Sequence, residues 1–297
     1  MRVAVIGSSG QLGRDLMAMG RQSRLDVIGL AHDEVDVTAP ESIREALVRT
    51  NPQVVVNCAA YVRVDECEQS VEQAFAVNAV GAFHVARAAA VIGALCTYIS
   101  TDYVFDGEKK QPYTEDDVPN PINVYGASKL TGEFLTKQGG GAWLIVRVSS
   151  LFGKGGARAK GGNFIDSILA KAAAGEELQV VDDLRISPTY TRHAAQALIQ
   201  LISERSTGTL HLANSGATTW YKFAEAALRL AGLGQYQIKS ISSHQVARRA
   251  RRPLNSALST RYVTGSTSGL PPWEAALEEY LRERNAVVET SSRNPPY

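Results

Sequence analysis

Through the first half of the chain, short apolar runs alternate with longer segments whose apolar positions recur at every third or fourth residue. Val3 to Ile6, Val27 to Leu30, Val54 to Asn57, Cys96 to Ser100 and Leu144 to Val148 are short runs rich in β-branched residues, which predicts strands covered on both faces. The intervals carry helical periodicity at Gln11 to Arg21, Pro40 to Arg49, Val71 to Ile92 and Tyr125 to Thr136. Regular alternation predicts an α/β chain with a doubly wound parallel sheet and right-handed crossovers.

After Val148 the pattern loosens into a Gly- and Lys-rich segment, Gly153 to Gly162, followed by a helical Phe164 to Ala174 and a strand-like Leu178 to Asp183. A helix at His193 to Ser203 and a strand at Thr209 to Ala213 are placed to rejoin the sheet. Helices at Trp220 to Leu230 and Trp273 to Arg284, with a strand near Ile238 to Ser240, then make a smaller lobe in which Trp220 and Trp273 are expected in the core.

Charge and composition narrow the reading. Lys plus Arg total 31 against 30 Asp plus Glu over 297 residues, so no broad field draws the chain to nucleic acid or an anionic membrane. Apolar stretches such as Ala86 to Leu95 stop short of the roughly 20 residues of a bilayer span, and no leader precedes the first strand, so a cytoplasmic protein without a membrane partner is expected. Cys58, Cys67 and Cys96 are odd in number and widely spaced, which fits packing residues better than disulfides. The histidines show no ligand spacing, and no metal site is expected.

Candidate chemistry begins at Gly7-Ser8-Ser9-Gly10-Gln11-Leu12-Gly13, between the first strand and the first helix. Glycine there lets backbone approach a pyrophosphate while the helix N-terminus meets its charge, so this turn is read as a dinucleotide site. Its GxxGxxG spacing resembles extended short-chain dehydrogenase/reductases. Downstream, Tyr125 and Lys129 stand four apart on one helical face. A phenol with a free pKa of about 10 donates protons usefully near neutrality when a cation stabilises its phenolate. Thr101, at the C-terminal end of a predicted strand, is placed to hold a substrate carbonyl oxygen.

Adding Asn57-Cys58-Ala59-Ala60-Tyr61, Val64-Asp65, Ser100 to Gly107, Pro119 to Glu133, Gly162-Asn163-Phe164 and Ser187-Pro188-Thr189, the chain resembles the dTDP-4-dehydrorhamnose reductases over roughly residues 1 to 285. The resemblance implies a Rossmann-type fold with a smaller C-terminal substrate-binding lobe, and NADPH- or NADH-dependent reduction of a 4-keto sugar nucleotide. Thr101, Tyr125 and Lys129 match the catalytic positions. Cofactor contacts are expected from Gly7, Gly10, Gln11, Leu12, Gly13, Asp36, Val37, Ala59, Ala60, Tyr61, Asn78, Tyr125 and Lys129. Substrate contacts are expected from Val104, Phe105, Asn163, Arg185 and Arg252, the last as a guanidinium for the diphosphate. Lys154, Arg158 and Lys160 belong to a loop placed to close over substrate. The expected division is a dinucleotide domain of residues 1–150 and 190–213, a substrate lobe of residues 151–189 and 214–285, and a flexible tail at 286–297.

The chain departs from the family's pattern at Ser150, where an aromatic usually stands, and at Asp183-Leu184. Two alternatives stay open: an epimerase or dehydratase that retains NAD, and a non-catalytic cofactor-binding subunit resembling that of methionine adenosyltransferase. Tyr103 after Asp102, where such dehydratases carry a Glu, speaks against the dehydratase. A preference between NAD and NADP, and assembly as a homodimer, are not fixed by the sequence.

Overall fold

In the computed structural model, which describes residues 1–154, 162–260 and 269–293, six parallel strands form one sheet in the order β10-β5-β4-β3-β1-β2. The chain enters as β1 (Arg2–Ile6), α1 (Gln11–Gln22), β2 (Asp26–Leu30), α2 (Pro40–Thr50) and β3 (Val54–Asn57). Two short helices, α3 (Val64–Cys67) and α4 (Val71–Phe75), lead through a π-helical turn at Ala76–Val80 into α5 (Gly81–Val91). Then come β4 (Leu95–Thr101), α6 (Val124–Lys137) and β5 (Trp143–Val148).

Side chains alternate across each strand, so successive valines serve opposite faces. Val3, Val5, Val54, Val56, Leu144 and Val146 pack against Leu12, Leu16 and Met19 of α1, while Ala4, Ile6, Val55 and Cys96 face Ile43, Leu47, Val85 and Ala89. This is why the strand runs read as continuously apolar: both faces are covered. The strand order reverses between β1 and β3, and open α/β sheets bind ligands beyond the carboxyl ends of strands at such a point.

The second half supplies β6 (Leu151–Phe152), α7 (Phe164–Ala173), β7 (Leu178–Val181), β8 (Arg185–Ile186), β9 (Thr189–Tyr190) and α8 (Thr191–Ser203). β10 (Gly208–Leu212) then joins the sheet beside β5, as expected, and α8 adds Ala194, Leu198 and Ile202 to the core under α1. The remaining elements are β11 (Asn214–Ser215), β12 (Thr218–Thr219), α9 (Trp220–Leu230), β13 (Ile238–Ile241), β14 (Leu270–Pro272) and α10 (Trp273–Arg293). A separate core gathers Phe152, Ile165, Leu169, Phe223, Trp273, Leu277 and Tyr280, with Trp220 packed at its edge. α10 runs past the lobe boundary expected at residue 285, and 294–297 lie outside the described residues.

Two expectations need comment. Cys67 and Cys96 are buried and Cys58 is half-buried, all three as free thiols. The helical stretch Val71–Val91, with 21 residues and a mean hydropathy of 1.4, is long and apolar enough to cross a bilayer, contrary to the reading of shorter interrupted runs. Its polar positions are too sparse to shorten the apolar stretch. In the fold it is a sheet-covering helix packed on α2, α6 and β4, and 44% of its most apolar window is buried.

Candidate active site

At the switch point, the turn after β1 closes tightly. Gly7 adopts φ +76°, and its N–H donates to the Leu30 carbonyl at 2.8 Å, while the Gly10 N–H donates to the Gly7 carbonyl at 3.0 Å. A Cβ on Gly13 would stand 2.4 Å from the Gly7 carbonyl oxygen, so the close packing of α1 on the turn requires glycine there. Gly10 is the N-cap of α1 and offers no side-chain cap, leaving the Gln11, Leu12 and Gly13 N–H groups without a carbonyl inside the helix. The Gln11 side-chain amide nitrogen is buried with no hydrogen-bond partner. An uncapped helix start, glycines at close approach and an unpaired donor together fit the pyrophosphate of a dinucleotide.

Across the switch point, the segment after β3 is held rigidly. The Asn57 side-chain oxygen accepts from the Ala59 N–H at 3.1 Å, and Asn78 clamps Tyr61 by accepting from its N–H at 2.8 Å and donating to its carbonyl at 3.1 Å. Asn78 is completely buried in the π-helical turn and also donates to the Ser128 hydroxyl at 3.0 Å. The Asn78 side chain, expected at the cofactor, bonds Tyr61 and Ser128 and so positions the Ala59 to Tyr61 segment. Past β2, the Asp36 carboxylate accepts from the Thr38 N–H and hydroxyl at 2.9 and 2.7 Å, which holds its carboxyl below the usual range. Val37 is buried against Gly81.

Thr101 ends β4 and Tyr125 opens α6, which Asn123 starts by accepting from the Gly126 N–H at 2.8 Å. Burial pushes the Tyr125 phenol well above 10, an effect the Thr101 hydroxyl partly offsets. The Tyr103 ring meets Tyr125 edge-on, with centroids 5.9 Å apart. Thr101 donates to the Asp102 carboxylate at 3.0 Å and Ser149 donates to it at 2.9 Å, while burial raises that carboxyl. Lys129 is 2% exposed; its amine donates to the Ile99 carbonyl at 2.6 Å and lies 4.0 Å from the centre of the Tyr98 ring. Burial lowers this amine to about 7, against the attraction of Glu133 and Cys58. The expected cation-on-phenol arrangement is therefore corrected in one respect: Lys129 faces the β4 backbone, and the phenol's acidity is set by burial and Thr101.

Several expected substrate residues are committed elsewhere. Val104 and Phe105 are fully buried, and Phe105 stacks on Tyr113 with centroids 4.2 Å apart, so their side chains are core. Asn163 is the N-cap of α7, accepting from the Asp166 N–H at 3.0 Å and donating to the Gly153 carbonyl at 2.9 Å and the Tyr280 hydroxyl at 2.8 Å. Arg252 pairs with Asp65 at 2.6 Å and also donates to the Ala250 carbonyl at 2.9 Å, which joins the segment after β13 to α3. Arg185 is exposed and donates to the Lys110 carbonyl at 3.0 Å. Lys154 pairs with Glu283 at 2.9 Å, whereas Arg158 and Lys160 lie outside the described residues. Sequence reasoning missed Ser149 and Ser128, for which no spacing signal exists, and the Asn123 cap, which an Asn ahead of a helical pattern does signal.

Residues 1–286 match the family described as the RmlD substrate binding domain. The chain belongs to this family. It is 38% identical to the spore coat polysaccharide biosynthesis protein SpsK of Bacillus subtilis over 97% of this chain and 99% of that protein. It is 35% identical to a dTDP-4-dehydrorhamnose reductase of Burkholderia thailandensis, with 95% and 99% covered. Among solved structures, the dTDP-4-dehydrorhamnose reductase of Bacillus anthracis in complex with NADP superposes with a TM-score of 0.88 at 32% identity, covering 95% of this chain and 99% of that one. The doubly wound parallel sheet expected from the alternating pattern, and the Rossmann-type fold implied by the resemblance, are the fold of this family member.

Proposed function

We propose that this protein reduces the 4-keto group of a nucleotide-linked deoxysugar with NADPH or NADH, and that dTDP-4-dehydrorhamnose, reduced to dTDP-rhamnose, is its substrate. The chain is an enzyme of the sugar-nucleotide ketoreductase kind that uses a nicotinamide dinucleotide. The observation that carries this reading is the meeting of Thr101 and Tyr125 at the carboxyl end of β4, on the same edge of the parallel sheet as the Gly7 to Gly13 turn that follows β1.

The α1 N-terminus, Gln11 and the Ala59 to Tyr61 segment would hold the dinucleotide, which when bound would supply a hydride to the keto carbon. Tyr125 gives the oxygen its proton: the phenol is kept neutral by burial and hence loaded to donate at neutral pH. Thr101, by turning its hydroxyl from Asp102 to the substrate, holds the oxygen in line with the phenol and meets the charge that grows on it. Lys129, one helical turn beyond Tyr125, donates to the Ile99 carbonyl and braces α6 against the carboxyl end of β4. In this reading residues 1–150 and 190–213 serve the cofactor, while 151–189 and 214–285 build the sugar-nucleotide side in a cytoplasmic enzyme without nucleic-acid or membrane partners.

Incubating the protein with a panel of 4-keto sugar nucleotides and each reduced cofactor tests both halves. Loss of reduced-nicotinamide absorbance in stoichiometric amounts with dTDP-4-dehydrorhamnose is expected. Turnover of a different keto sugar alone would reassign the substrate, and release of an isomer without net cofactor oxidation would reassign the reaction to epimerisation.

A further inference from the structure

Beneath Lys129 lies a buried ionic cluster that the reaction described above does not use. Glu133 follows Lys129 by one helical turn on the same face of α6 and is 1% exposed. Its carboxylate accepts two bonds from the Arg147 guanidinium, at 2.8 Å from Nε and 2.7 Å from Nη2, and one from the Ser100 hydroxyl at 2.5 Å. Arg147 is itself 4% exposed, lies over the Phe105 ring at 5.2 Å and points a further nitrogen at the His211 Nε2 at 3.5 Å. His211 Nδ1 is 2.9 Å from the Ser259 carbonyl, so it donates there and leaves Nε2 to accept from Arg147 as a neutral ring.

A buried ion pair of this quality is weak evidence for stability, because desolvation offsets most of its attraction. Its placement has another consequence. Glu133, one helical turn beyond Lys129 and buried with it, carries the negative charge that favours the ammonium form. The other titratable groups near Lys129 are the Tyr125 phenol one helical turn back on α6 and the Tyr98 phenol, both pushed well above 10, and the Cys58 thiol, pushed up to about 12, all neutral through the neutral range. Arg147 and Ser100, by bonding both carboxylate oxygens, fix where that negative charge sits.

We propose that Glu133, locked by Arg147 and Ser100, is a positioning residue that keeps the Lys129 amine charged and directed at the carboxyl end of β4. The catalytic meaning of that charge rests on the reductase reading, but the coupling between the two side chains does not. Without the carboxylate, Lys129 and Arg147 are two cations in one dry core, and the lysine, the more readily deprotonated of the two, gives up its proton.

The test is the titration of Lys129 in the cofactor-free protein, followed by NMR of lysine labelled with ¹³C at Cε and assigned through Lys129→Met. In Glu133→Gln the midpoint is expected to fall by about one pH unit or more relative to wild type. Should that variant fail to fold with Arg147 unpaired, Glu133→Gln combined with Arg147→Met removes both charges and is expected to fold; its Lys129 midpoint falls by less than in Glu133→Gln, because the repelling guanidinium has gone with the carboxylate. Glu133→Asp, which keeps the charge, restores most of the wild-type midpoint. The alkaline limb of kcat/KM in the loaded enzyme moves to lower pH in parallel. A wild-type midpoint in either folded carboxylate-free variant overturns the proposal, as does a lowered rate with an unmoved pH profile. A shifted midpoint in a protein that reduces no keto sugar keeps the coupling and removes only the reductase reading.

Discussion

At the scale of single residues, Tyr125 stands out because one hydroxyl carries its whole function in the proposed reaction while its ring is held by Tyr103 and the core. Tyr125→Phe is expected to fold and to bind cofactor as before, yet to lose about 10² to 10⁴-fold in turnover, since a positioned proton donor contributes that much. Steady-state rates beside a cofactor titration check it, and near-native reduction would remove the phenol from its role. Lys129 makes a second prediction, about stability. Its amine titrates at about 7 in the folded chain against 10.5 when unperturbed, so between those values the unfolded chain holds a proton that the folded chain has released. Unfolding then becomes harder as pH rises through that window, by at most about 1.4 kcal/mol per pH unit from this one group. Lys129→Met deletes that slope. Denaturant curves at about pH 7 and pH 9 are expected to show wild type gaining on the variant at the higher pH, and a constant difference would contradict the buried, depressed amine. Both side chains were legible in the sequence as a spaced pair, but the direction of the lysine amine, toward Ile99, was not.

Single elements explain how those groups are aimed. The π-helical turn at Ala76–Val80 interrupts an otherwise α-helical run, and such insertions occur often at functional sites. Here it presents the Asn78 side chain to Tyr61 and Ser128, while the Asn78 carbonyl accepts from the Tyr98 hydroxyl at 2.6 Å. Gly132 makes room for that arrangement, since a Cβ there would stand 2.1 Å from the Asn78 carbonyl oxygen. Asn78→Ala leaves the half-buried Tyr61 N–H and carbonyl without their partner, at a cost of about 1 kcal/mol. A lower denaturation midpoint together with weaker cofactor binding is the expected result, with Tyr125 chemistry otherwise intact. Weakened stability with unchanged cofactor affinity would show that the clamp serves packing alone. Periodicity announced the helix but not the turn, because a one-residue shift in hydrogen bonding leaves the apolar repeat almost unaltered.

For the molecule as a whole, the segment after β13 is tied to α3 and to the start of α6, where Arg252 pairs with Asp65, the Ala250 N–H donates to Asp65 at 3.0 Å and Asn123 donates to the Arg251 carbonyl at 2.9 Å. Arg252→Ala is expected to raise the KM for the sugar nucleotide several-fold while leaving cofactor affinity unchanged, because it loosens the smaller lobe's arm and touches nothing at the α1 turn. Calorimetric titration of each ligand separates the two, and equal weakening of both would mean that the pair supports the whole fold. What the sequence alone determined was the local and periodic content: alternating strands and helices, the glycine turn, the Tyr125–Lys129 spacing and the return of β10 to the sheet. These follow from backbone geometry and side-chain period, which act over a few residues. Tertiary structure decided the rest. It turned Val104, Phe105 and Asn163 from expected substrate contacts into core and capping residues, paired Arg252 with Asp65, and brought Ser100, Glu133, Arg147 and His211 together beneath Lys129. Burial and charge pairing between residues distant in the chain depend on which strands and helices pack together, and no spacing along the sequence encodes that directly.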